Sequence, residues 1–99
     1  MEEVWKDIEG FDGKYQVSDK GNVRSLRYLN SHKIQLLKPK INRLGYREYT
    51  LSKDNKRYFF LAMKLVAQAF IPNPLNKPMV THKNGKKLED YVENIKWVF

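Results

Sequence analysis

The period of the apolar residues changes once along this chain, and the change falls at Met63. Before it, short runs alternate between apolar and polar residues and are broken by turn signals. Tyr15-Gln16-Val17-Ser18 and Asn22-Val23-Arg24-Ser25-Leu26-Arg27 flank Asp19-Lys20-Gly21-Asn22, the composition of a tight turn between two strands. Asn30-Ser31-His32-Lys33 marks another turn, which places His32 in solvent. Residues 45–52 and 57–61 read as a hairpin about Lys53-Asp54-Asn55-Lys56, because Tyr, Thr and Phe suit a pleated, half-buried surface. From Met63 onward, Met63, Val66, Ala67 and Phe70 fall at helical spacing, with Lys64 and Gln68 off the stripe. Pro72 and Pro74 then end the helix, since proline lacks the amide donor and restricts the residue before it. This predicts an α+β fold: a strand-rich antiparallel N-terminal half, one central helix near 62–70, and a terminal hairpin-like pair around Val80–His82 and Asn94–Val98.

Charge narrows the function. Residues 1–19 hold two Lys and six acids, whereas residues 20–87 hold sixteen Lys/Arg against only Glu48 and Asp54, and residues 88–99 hold one Lys and three acids. A basic middle with so little countercharge repels itself unless a polyanion binds it, so nucleic acid is the expected partner. Arg24, Arg27, Lys38, Lys40, Arg43 and Arg47 are the candidate DNA contacts. Arg24 and Arg27 stand three apart, so strict alternation sends them to opposite faces unless a bulge intervenes. No apolar run is long enough to span a membrane, and the acidic start is not a signal peptide. The absence of cysteine rules out disulfides and thiolate zinc sites and fits a reducing cytoplasm.

The stretch Val4–Ser25 resembles the NUMOD4 module that accompanies HNH homing endonucleases of bacteriophages. The resemblance is carried by Trp5, Ile8, Gly10, Gly13, Tyr15, Val17, Ser18, Gly21, Val23 and Arg24. Of these, Trp5, Ile8, Tyr15, Val17 and Val23 are expected to form a small sheet core. The second half follows the order of the same family: the Gly45-Tyr46 hairpin, the Leu65–Pro74 helix and stop, and the Val80–Val98 stretch. Residues 1–44 are expected to form the NUMOD4-like DNA-binding segment and 45–99 the HNH-like segment, in one compact unit.

The resemblance implies a chemistry. In the family a His acts as general base on water while one divalent ion holds the scissile phosphate. His82 stands at the base position, and Asn94 at the position that orients the imidazole or supports the loop. His82 also reads as a hydrogen-bonded strand histidine, and Asn94 as a structural amide. The residue before the His is commonly a metal-binding Asp or Asn, and here it is Thr81. The family often has His where Met63 stands, and its last metal ligand lies on a helix that follows the second strand. The expectation is therefore a C-terminally truncated, catalytically degenerate relative whose terminal hairpin is an incomplete ββα-metal finger, with Asn84 or Asp90, oxygen donors near His82, as a substitute metal site. No cofactor is expected; Mg²⁺ or Mn²⁺ would serve only a working nuclease site.

Three readings follow. The first is a phage-encoded DNA-binding protein with weak or no nuclease activity, in the cytoplasm of a bacterial host. The second is a reused scaffold that binds a host or phage protein or nucleoprotein complex, for example an anti-defence factor. The third is an active metal-dependent nicking endonuclease.

Overall fold

The computed structural model describes residues 2–28 and 33–99, and of Arg27, Tyr28 and Lys33 the backbone alone. The turn assigned to Asn30–His32 lies outside the described residues. Among the described residues, three antiparallel sheets pack about one helix.

The first sheet runs in sequence order: β1 (Trp5–Asp7), β2 (Tyr15–Ser18), β3 (Val23–Tyr28) and β4 (Lys33–Leu36). The predicted Asp19–Asn22 turn joins β2 to β3, pairing Val17 with Val23. Ser18 Oγ stabilises it by accepting from the backbone N–H groups of Lys20 and Asn22, and Gly21 supplies a φ of +87°. The register of β3 on β4 shifts between Ser25 and Tyr28. Strict alternation therefore does not carry from Arg24 to Arg27.

The second sheet is β5 (Lys40–Ile41), β6 (Arg47–Lys53) and β7 (Lys56–Leu61). Asp54 and Asn55 close the β6–β7 ribbon with φ of 53° and 64°, the left-handed pair that a two-residue hairpin turn requires. The helix α1 (Ala62–Phe70) follows β7 directly, and Ile71 N–H caps it on the Ala67 carbonyl before Pro72. Met63, Val66 and Ala67 are buried as the spacing predicts; Leu65, outside that stripe, is buried too. The chain closes with β8 (Met79–His82), a 3₁₀ turn (Val92–Asn94) and β9 (Ile95–Val98), with His82 opposite Ile95.

One core joins these pieces. Ile8, Val17 and Val23 meet Tyr49 and Leu51, the buried face of α1, and Val80 and Ile95. Burying a side chain of this size contributes about 1.5–3 kcal/mol. Trp5 is not part of that cluster. It is half-buried on edge strand β1, with the Arg24 guanidinium 4.2 Å from its ring centroid, so the ring serves as a platform for a cation. Among the described residues no helix is long and apolar enough to cross a membrane.

Candidate active site and nucleic-acid interface

β8 presents Val80 and His82 inward, as a period of two dictates. The His82 side chain is 4% exposed, and its Nε2 lies 2.7 Å from Asp90 Oδ1. The Tyr46 ring stacks on the imidazole, with centroids 5.9 Å apart at 10°. Asp90 is itself 2% exposed; its Oδ2 makes no hydrogen bond and faces Arg47 Nη1 at 3.7 Å. Arg47 is fixed in turn, since its Nη2 donates to the Gly21 carbonyl at 2.9 Å and to the Tyr49 hydroxyl at 2.8 Å. That hydroxyl donates to the same Gly21 carbonyl at 3.1 Å. Burial pushes the Tyr49 phenol above its ordinary pKa, partly opposed by the Arg47 guanidinium.

Asn94 is a loop clamp. Its Oδ1 accepts from the Asn84 backbone N–H, and its Nδ2 donates to Asn84 Oδ1 and the Glu89 carbonyl. These bonds close the loop between His82 and Asp90, and no hydrogen bond joins Asn94 to the imidazole. The Asp19 carbonyl accepts from Val92 N–H at 2.8 Å, tying the first sheet to the same loop.

The oxygen donors around His82 do not fit a divalent ion. Mg²⁺ is usually held by one or two accessible protein carboxylates, with water and phosphate oxygens completing its octahedron. Asp90 is turned inward, on His82 and toward Arg47. Asn84 Oδ1 accepts from Lys86 N–H and Asn94, while Glu89 is engaged by Asn84, Tyr91 and Lys86. Thr81 adds one neutral hydroxyl, and Met63 sits in the apolar core. Among the described residues no group of three His, Cys, Asp or Glu is placed to hold a metal.

The NUMOD4 motif matches residues 3–52. The chain belongs to the NUMOD4 family. It is 36% identical to the DNA endonuclease I-HmuI of Bacillus phage SP01 over 95% of its own length and 51% of that protein. An HNH endonuclease of Acanthamoeba polyphaga mimivirus is 42% identical, over 97% of this chain and 24% of the viral protein. The chain thus spans about half the length of the phage relative and about a quarter of the mimiviral one. A solved structure of I-HmuI, an HNH homing endonuclease whose DNA binding and cleavage it describes, superimposes with a TM-score of 0.84. It is 37% identical and covers 99% of this chain and 52% of that one. The α+β architecture is that of I-HmuI over the matched part.

The NUMOD4 segment places the predicted DNA contacts unevenly. Lys38, Lys40 and Arg43 are exposed around β5. Arg24 is half-buried, held by Gln16 Oε1 at 2.9 and 2.7 Å and lying on Trp5. Arg27 is on β3, and its side chain lies outside the described residues. Arg47 is occupied in the interior by Gly21, Tyr49 and Asp90. Two groups of residues escaped the sequence reading. Lys83, Lys86 and Lys87 are exposed on the loop after His82, and Lys87 Nζ donates to the Leu44 carbonyl and lies 5.1 Å from the Tyr46 ring centroid. Their proximity to His82 in the chain was the available signal. The outer face of the β6–β7 ribbon carries Thr50, Ser52, Arg57 and Phe59, all exposed. There the period of two, applied to the solvent side of the ribbon, was the signal.

Proposed function

We propose that this chain is a DNA-binding protein built on the HNH homing-endonuclease scaffold, with weak or no nuclease activity of its own. Its similarity to I-HmuI over nearly the whole chain supports the DNA partner. The basic residues around β5 and on the loop after His82 supply phosphate contacts, which position a duplex without reading its sequence. The outer face of the β6–β7 ribbon, with two hydroxyls, one guanidinium and one aromatic ring, offers groups suited to base edges in a major groove. Residues 1–44 and 45–99 act together as one unit.

The observation that carries the catalytic half of this reading is the orientation of Asp90. The carboxylate touching the base position points into the protein, and Thr81 stands where the family offers Asp or Asn. A base without a held cation leaves the charge developing on the phosphate unstabilised. A plasmid-nicking assay in Mg²⁺ and in Mn²⁺, run beside a binding assay on the same DNA, tests both halves. Binding with little nicking is expected. Robust nicking abolished by EDTA and by His82→Ala would establish the active nuclease. Absence of DNA binding at low salt would shift the assignment to a protein partner.

A further inference from the structure

Asp90 matters for more than its unfitness to bind a metal. We propose that Asp90 is the positioning residue of His82: it holds the ring as the Nε2–H tautomer, leaving Nδ1 as the proton-accepting nitrogen, and the NUMOD4 segment holds Asp90. The proposal rests on the reading of His82 as the inherited base position.

The geometry leaves little freedom. A carboxylate accepts and does not donate, so the proton in the 2.7 Å contact belongs to Nε2. The orientation of the second nitrogen follows from the bond the first one makes. Tyr46, stacked on the imidazole, resists its rotation, since a turn about the ring's bond would break the stack and the Asp90 contact together. Asp90 is backed by Gly21, where an added Cβ would meet Asp90 Cβ at 2.9 Å. Its free Oδ2 looks onto the Arg47 guanidinium, which the Gly21 carbonyl and the Tyr49 hydroxyl pin from the other side. Gly21, Arg47 and Tyr49 all lie within the NUMOD4 match, whereas His82 and Asp90 lie outside it. The matched segment therefore supplies the wall against which the base position is set.

Nitrogen-15 NMR of the histidine rings reads this directly. The chain has two histidines, so the His32→Gln background leaves a single imidazole. At alkaline pH His82 is expected almost entirely as the Nε2–H form. In Asp90→Ala the Nδ1–H fraction should rise about tenfold, the equivalent of losing one hydrogen bond; Arg47→Gln, which lets the carboxylate pivot, should raise it less. If Asp90→Ala does not fold, the near-isosteric Asp90→Asn carries the test, because an amide offers donor and acceptor alike and the excess of Nε2–H should fall. A wild-type ring protonated on Nδ1, or on both nitrogens, overturns the proposal. So does an unchanged tautomer in folded variants, which is what a merely structural carboxylate would give. The readout needs neither DNA nor cleavage, so its failure is distinguishable from failure of the functional reading.

Discussion

Gly21 and Asp90 touch across the interior: a Cβ on Gly21 would stand 2.9 Å from Asp90 Cβ and 3.2 Å from the Asp90 carbonyl oxygen. The contact joins the β2–β3 turn to the loop that carries the partner of His82.

Gly21→Ala is expected to be among the most damaging small substitutions in the chain. The φ of +87° is unfavourable for any residue with a Cβ, and the added methyl meets a backbone oxygen as well as a side chain. We expect a loss of about 2–4 kcal/mol in urea unfolding, from strain and overpacking together. Gly13→Ala, equally left-handed at +75° but with nothing within 4 Å, isolates the backbone strain and should cost less.

Tyr49 gives the fold an alkaline limit. Its phenol is pushed above the ordinary 10.0 by burial, so the folded state favours the neutral form. That contribution is complete below the unfolded value, near pH 10, and is lost as pH rises from there through the folded value. Chemical unfolding across this window should therefore fall more steeply for the wild type than for Tyr49→Phe. At neutral pH Tyr49→Phe should cost about 1 kcal/mol, the net worth of its hydroxyl contacts.

DNA affinity should fall steeply with salt, with a log–log slope of about −0.9 for each phosphate contacted on duplex DNA. Simultaneous Lys38→Glu, Lys40→Glu and Arg43→Glu should weaken binding and flatten the slope while leaving the circular dichroism intact, because all three side chains are exposed. Arg47→Glu should behave differently. It puts a carboxylate against Asp90 and the Gly21 carbonyl, so loss of the fold is expected before any specific change in binding.

Thr81→Asp should raise Mn²⁺ affinity slightly, as followed by electron paramagnetic resonance, and leave nicking low. One added carboxylate does not release Asp90 from His82 or Glu89 from Lys86. A rise of several orders of magnitude in nicking rate from this change alone would show that Thr81 was the sole obstacle.

Local chemistry made much of this fold legible. Asp54-Asn55 closes the β6–β7 hairpin because both residues tolerate the left-handed region, and Met63, Val66 and Ala67 announced the buried face of α1 by spacing alone. The pair β8–β9 followed from the family resemblance, which placed strands around Val80–His82 and Asn94–Val98. Trp5 departs from its composition: a large apolar ring suits a core, but on edge strand β1 it carries Arg24 on its face instead. The site was less readable for a different reason. Asp90 was recognised only as an oxygen donor near His82, and Arg47 only as one more cation in a basic stretch. That the two face each other depends on how three sheets close around α1, a relationship with no local signal in either segment.

The Asp19 carbonyl that receives the Val92 amide has a consequence for where this chain can be divided. A cassette cut at the end of the NUMOD4 match would leave with Asp19, Gly21, Arg47 and Tyr49 but without Asp90 and Val92. Such a fragment would keep a guanidinium without its counterion and a glycine turn without the loop it packs on. In this chain the segment whose buried contacts are all satisfied from within is therefore larger than the motif by which it is recognised.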